Sequence, residues 1–339
     1  MLKNIIATFI IFLPFTIIAQ NRNDTVVNIE GTVITLSEVV VNSKINVPAF
    51  IDRVRNDTTF YKAFRTLHIV GFTALNDVRM VYKDGDIKAS LRSKIKQTRS
   101  NDCRSMKVLE ETTTGDIYDA DKNFNYYTGE MYAGLFFTKG TICGEDNIVK
   151  GRMQSAAGLS GMEKHKAQLK MLFFNPGKQI SGIPFISGKT AIFDKDMADK
   201  YDMNIDMEEH NKTSCYVFTI KAKPNKKSDV VIDEMTTWFN DRTFEIVARN
   251  YSLSYDAGVY DFNVQMQVEL TKFGEYLVPS LIRYVGNWKA VFKKRERGIF
   301  TATLFDFVKL NACLPFIYLS LVKCREFFTG QLQKKLPIN

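Results

Sequence analysis

The chain contains three histidines, His68, His165 and His210, and none stands in a pattern that makes a catalyst. A Cys–His or Ser–His pair needs an imidazole beside a nucleophile. Here His68 falls in an expected strand, His165 on an expected helix and His210 beside a turn. There is no GxSxG elbow, no HExxH and no glycine-rich phosphate loop. Carboxylates offer another route. Asp194, Asp196, Asp199, Asp202, Asp206, Glu208 and Glu209, with His210, form an oxygen-rich stretch that invites a calcium reading. The EF-hand order, with glycine at its sixth position, is missing. Within Tyr201–Glu208 the acids alternate with Met203, Ile205 and Met207, as on the solvated face of a strand. Asp116, Asp119 and Asp121 form a second group, but paired-carboxylate hydrolysis needs a fixed separation across a cleft. A hydrolase built on those three is the enzymatic alternative. The main reading has no catalytic residue, no metal site and no cofactor.

The aromatic residues point elsewhere. The chain carries 26 Phe and 14 Tyr against only 8 Pro, a balance that suits pleated, half-buried surfaces. Phe173, Phe174, Phe185, Phe218, Trp238, Phe239, Tyr284 and Trp288 are spread over one helix and several strands. They make either a packed core or the lining of an apolar cavity, since ligand pockets are concave and largely apolar. Phe173, Phe174, Phe218, Trp238, Tyr284 and Trp288 are the candidate ligand-binding residues.

The elements that must position them are legible. Asn46 is placed to cap a helix with Pro48 in its first turn, and residues 47–67 read as one bent helix or two short ones. From Leu67 the period shifts to two. His68–Ala74 and Val78–Tyr82 read as strands, and Asp84-Gly85 marks a hairpin. Strands or loops continue through Ile87–Gln97, Met106–Thr112 and Phe124–Phe137. Ser160 and Glu163 have capping-box spacing and open a helix that Asn175-Pro176-Gly177 stops. Tyr201–Glu208, Cys215–Lys223, Asp229–Asn240, Thr243–Tyr255, Val259–Thr271 and Glu275–Trp288 follow as long segments with short, turn-forming links, the pattern of an antiparallel meander. The run Lys293-Lys294-Arg295-Glu296-Arg297 then reads as a charged hairpin tip. The expected fold class is α+β: a curved antiparallel sheet, an incomplete β-barrel, wrapped around one or more helices.

Residues 1–19 have a positive start at Lys3, a short apolar run broken by Pro14 and a small residue, Ala19, at the end, which reads as a secretory signal peptide. The expected division is signal peptide 1–19, lead-in 20–44, half-barrel domain 45–308 and C-terminal helical tail 309–339. The expected location is periplasmic or outer-membrane associated. A formal charge of +9 suits anionic head groups, and export argues against nucleic acid. Cys103, Cys143, Cys215, Cys313 and Cys324 show no CxxC spacing, and their pairing cannot be deduced.

Two stretches carry a resemblance. The helix ending in Phe173-Phe174-Asn175-Pro176-Gly177, and the run Val230–Trp238 followed by Thr243-Phe244-Glu245-Ile246, are similar to the periplasmic lipoprotein carriers and outer-membrane lipoprotein receptors (LolA/LolB-like) over residues 45–308. The resemblance implies an incomplete barrel with helices as a lid over a cavity for acyl chains. No functional residue is matched individually. Thr35–Val41 reads as a short extended segment, and Ile34-Thr35-Leu36-Ser37-Glu38-Val39-Val40-Val41 resembles the L-x-E-V-V-V segment preceding domains of Bacteroidetes outer-membrane proteins. Together these imply a non-enzymatic cell-envelope protein whose partner is an acyl lipid or lipoprotein. The alternative is a structural or interaction module of an outer-membrane assembly, with an outer-membrane protein as partner.

Overall fold

Alternation along one strand shows how the sheet is built. In β11 (Tyr260–Phe273), Phe262, Val264, Met266, Val268 and Leu270 are buried, while Asn263, Gln265 and Gln267 between them are exposed. A one-residue slip would turn that whole apolar set to solvent, so the register with its neighbours is strongly specified. The computed structural model describes residues 24–29, 31–43, 45–100, 102–149, 171–180, 186–256, 260–290 and 294–309. The expected signal peptide and almost all of the C-terminal tail lie outside the described residues, as do Cys313, Cys324, Phe185 and the start of the helix opened by Ser160.

The strands are β1 (Thr25–Ile29), β2 (Thr32–Leu36), β3 (Gly71–Val81), β4 (Ile87–Ser100), β5 (Cys103–Thr114), β6 (Thr141–Cys143), β7 (Tyr201–His210), β8 (Thr213–Ala222), β9 (Ile232–Asn240), β10 (Ile246–Asp256), β11, β12 (Tyr276–Ala290) and β13 (Glu296–Val308). They form one curved, unclosed sheet in the order β1-β2-β7-β8-β9-β10-β11-β12-β13-β3-β4-β5-β6. The run β7 to β12 is the expected meander, and β13 pairs with β12 beyond it. Every pairing is antiparallel except β2 with β7, which is parallel. That pairing brings part of the 20–44 lead-in into the sheet.

Helices α2 (Val47–Asn56), α3 (Thr59–Thr66) and α4 (Tyr127–Phe136) pack on one face. Asn46 caps α2 as expected, its Oδ1 accepting from Ala49 N at 3.1 Å. Residues 47–66 are two helices, because the Asp57 carboxylate accepts from the Thr59 and Phe60 amides and starts a second one. Three expectations fail. His68, expected in a strand, lies in the turn before β3, which runs unbroken from Gly71 to Val81. The Val39–Val41 end of the Bacteroidetes-like segment is helical, not extended, as part of α1 (Glu38–Asn42). Pairing with β7 ends where Ser37 N donates to Ile205 O, and the chain turns there. Residues 127–136, expected as strand or loop, are α4.

Candidate ligand site: the apolar interior

A wide sheet with one apolar face must bury it, and here the cover is thin: α2, α3, α4 and a helical stretch over residues 171–174. Between α4, that stretch and strands β11–β13 lies a layer of aromatic rings. Phe173 meets Tyr284 at 6.1 Å and Trp288 at 5.8 Å between ring centroids. Phe174 stacks on Phe64 of α3 at 4.2 Å and meets Phe136 of α4 at 6.1 Å. Tyr132 of α4 lies 5.0 Å from Phe300. The space left among these rings is about 20 Å³. A second void of about 10 Å³ lies beyond Phe136, with polar walls from Asn76, Gln97, Arg104 and His68.

Polar ties hold α4 on this layer. No residue near its start caps it. Instead Glu296 of β13 accepts from Tyr127 N (3.0 Å), Thr128 N (2.8 Å) and Thr128 Oγ1 (2.5 Å). A carboxylate at a helix N-terminus satisfies free N–H groups and complements the helix dipole. Farther along, the Tyr132 hydroxyl donates to Asn76 Oδ1 at 2.8 Å, and Asn76 donates to Ser93. Replacing Glu296 with alanine is expected to cost about 1–3 kcal/mol of stability. It should also speed hydrogen exchange of the α4 amides more than those of β11. Equal protection before and after would show that Glu296 does not anchor the helix.

Beside the smaller void, Gln97 donates to the carbonyls of Leu67 and Val70 at 2.7 and 2.8 Å and accepts from Thr138 and Arg104. Arg104 makes a forked pair with Glu145, whose Oε1 lies 2.9 Å from His68 Nδ1. Burial pushes the Glu145 carboxyl up, but the Arg104 bond and the charges around it hold it below its ordinary value. Burial pushes His68 down to about 4; Glu145 opposes the shift, while Arg104 and Arg65 add to it. Near neutrality the cluster is therefore neutral imidazole, carboxylate and guanidinium. The Cys103–Cys143 disulfide between β5 and β6 pins the loop that carries Glu145.

Of the six candidate residues, four come together: Phe173, Phe174, Tyr284 and Trp288, with Trp288 Nε1 donating to the Tyr284 hydroxyl at 2.7 Å. Phe218 is buried on the same face but packs against Phe50 and Phe193, away from α4. Trp238 does not join them. It sits on the opposite face with Cys215, Val217 and Ala248, its Nε1 donating to Glu208 and its ring 4.8 Å from His210. In β9, Met235 and Phe239 point inward, so their neighbour Trp238 points out. Tyr132, Phe136, Phe64 and Phe300 belong to the layer and were not singled out. Met131, Tyr132, Leu135 and Phe136 have helical spacing, but the aromatic density and Gly129 mask it. Gly129 allows a close approach: a Cβ there would lie 2.9 Å from the Phe124 ring.

Two of the carboxylates in the 116–121 group are engaged in local structure. Asp119 accepts from the Asp121 and Asn123 amides, and Asp116 accepts from the Tyr126 hydroxyl. In β7, Met203 and Ile205 are buried while Asp202 is exposed. Among the described residues no group of three or more His, Cys, Asp or Glu is placed to hold a metal ion. Among them, too, no helix is long and apolar enough to cross a membrane.

A curved open sheet lidded by short helices over an apolar layer is the class that fold and site define. No protein-family model matches the chain, and no curated protein does. Among solved structures it is similar to a DUF1329 family protein from Desulfovibrio piger, with TM-score 0.24, 11% identity, and coverage of 76% of this chain and 95% of that one. It is also similar to a putative outer membrane lipoprotein-sorting protein domain from Vibrio parahaemolyticus, with TM-score 0.25, 8% identity, and coverage of 75% and 93%. Similarity at that level carries no functional argument.

Proposed function

We propose that this chain is an exported, non-enzymatic binding protein of the cell envelope. Its ligand would be the acyl chain of a lipid or of a lipidated protein, held between the sheet and the lid formed by α4 and residues 171–174. The observation that supports this most directly is the aromatic layer under that lid, closed by side chains and held down by a few polar ties. The voids of about 20 and 10 Å³ are far smaller than the roughly 300 Å³ or more of a ligand pocket. Binding at this layer would therefore lift the lid and part the rings. Each buried methylene would return about 0.8 kcal/mol. The Cys103–Cys143 disulfide suits an oxidising compartment, and the basic charge suits anionic head groups.

Native mass spectrometry of the protein isolated from the periplasm, with solvent extraction of bound material, tests the reading. The expected result is an acyl lipid near one per chain. A clean protein mass that gains nothing when lipid is added would remove it. That outcome would favour a second reading, an interaction module of an outer-membrane assembly. Its support is β5, which pairs with β6 only from Cys103 to Ser105 and exposes Val108 and Leu109 beyond. An open strand edge of this kind can add a partner's strand through the main chain.

A further inference from the structure

β10 contains a register shift between Ile246 and Ala248. Ile246 points into the interior, and strict alternation from it would send Arg249 outward. The bulge changes the phase. Ala248 faces out with Trp238, while Arg249, Tyr251 and Leu253 face in. Bulges re-aim side chains in this way, often near sites. The result is a guanidinium 5% exposed on the apolar side of the sheet.

Its surroundings give it one hydrogen bond and one ring face. Arg249 Nε donates to Thr237 Oγ1 at 2.9 Å, and its Cζ lies 4.3 Å from the centre of the Phe60 ring. Among the described residues no other hydrogen bond and no ion pair is made by its two terminal nitrogens. The carboxylate whose charge it feels most, Asp57, is occupied in starting α3, where it takes the Thr59 amide and hydroxyl. Burial disfavours the charged form and pushes the Arg249 pKa down. A buried guanidinium is usually paired, because desolvation costs more than one hydroxyl and one ring face return. Its open fork of N–H donors matches the two oxygens of an oxyanion.

The path from this fork to the lid is aromatic throughout. Phe60 meets Phe64 at 5.4 Å and Tyr251 at 6.3 Å. Phe64 stacks on Phe174, and the Tyr251 hydroxyl donates to the carbonyl of Phe173. We propose that Arg249 is the head-group anchor of the interior: it pairs with the oxyanion of a single-chain amphiphile whose tail runs along these rings toward Phe173 and Phe174. This rests on the acyl-binding reading above and names the ligand class within it.

The test is binding of oleate, oleyl phosphate and oleyl alcohol to the wild-type protein and to Arg249→Met. Methionine replaces the buried ion with an apolar side chain, an exchange that often leaves stability unchanged or raised. Wild type should bind the two anions at least about tenfold tighter than the alcohol, and R249M should bind all three alike. Preference for oleate would assign a free fatty acid, and preference for oleyl phosphate a phosphate-bearing lipid. Equal binding of the three by wild type overturns the anchor and leaves acyl binding standing. Undiminished discrimination by R249M also overturns it. Binding of none removes the acyl-binding reading, and the anchor with it. A second measurement needs no variant. The carboxyl carbon of 13C-labelled oleate bound to wild type should remain ionised at a pH where free oleate is protonated, and titration as in water overturns the proposal.

Discussion

Phe173→Ala is expected to lower the free energy of unfolding by about 3–5 kcal/mol and at the same time to increase uptake of a fatty acid. The ring is buried against Tyr284 and Trp288, and its loss leaves a hole that adjoins the existing void of about 20 Å³. The Tyr251 hydroxyl bonds to the backbone carbonyl of Phe173, so that tie survives the substitution. Stability falls because the surrounding rings cannot fully collapse into the space. Uptake rises because a ligand that must displace this ring binds in proportion to the fraction of molecules with the site open. Urea unfolding and titration with a fluorescent fatty acid read the two effects. Phe218→Ala is the control: it removes an equally buried ring on the same face, packed away from the lid against Phe50 and Phe193. It should cost similar stability with no gain in uptake. If both variants lose stability and neither gains uptake, the layer is an ordinary core.

Removing the disulfide, with both Cys103 and Cys143 changed to serine, should have an effect of similar size. The bridge closes a loop between residues 40 apart, and the chain-entropy relation gives about 4 kcal/mol for a loop of that length. The consequence extends beyond the unfolded chain. The bridge holds β6 to β5, and the loop after Cys143 carries Glu145 to Arg104 and His68, and Asp146 to Arg65. Those pairs connect the end of α3 to the sheet. Thermal unfolding of the oxidised protein, its reduced form and the double variant should show the last two alike and both well below the first. A loss under about 1 kcal/mol would mean that the loop stays in place without its staple, and that the four charged groups organise it alone.

Much of the architecture is legible as local pattern. The alternation in Phe262–Leu270 and in Tyr216–Ile220 places strands and assigns opposite faces. The Asp84-Gly85 turn and the Asn46 cap mark element ends. The candidate aromatics divide for a physical reason. Period-two alternation tells which residues of a strand share a face but not which face is inside. Trp238 and Phe239 are adjacent, so only one could line the interior, and Phe239 does. α4 was less visible. Its Tyr, Phe and Gly content reads as strand or loop, and it becomes a helix where an apolar sheet face and the Glu296 carboxylate receive it.

By itself, then, the amino-acid sequence determined the strands β7 to β12, their turns and antiparallel order, and the aromatic richness of the interior. Each of these follows from side chains within a few residues of one another. Tertiary structure decided the rest. It joined β13 to β3 and β2 to β7, and it paired Cys103 with Cys143. It brought Glu296 to the start of α4 across 169 residues, and through one bulge it turned Arg249 from the solvent side to the interior. These outcomes depend on which distant segments meet, and in what register. Local periodicity carries no information about that choice; it is made only when the sheet assembles and one face must be buried.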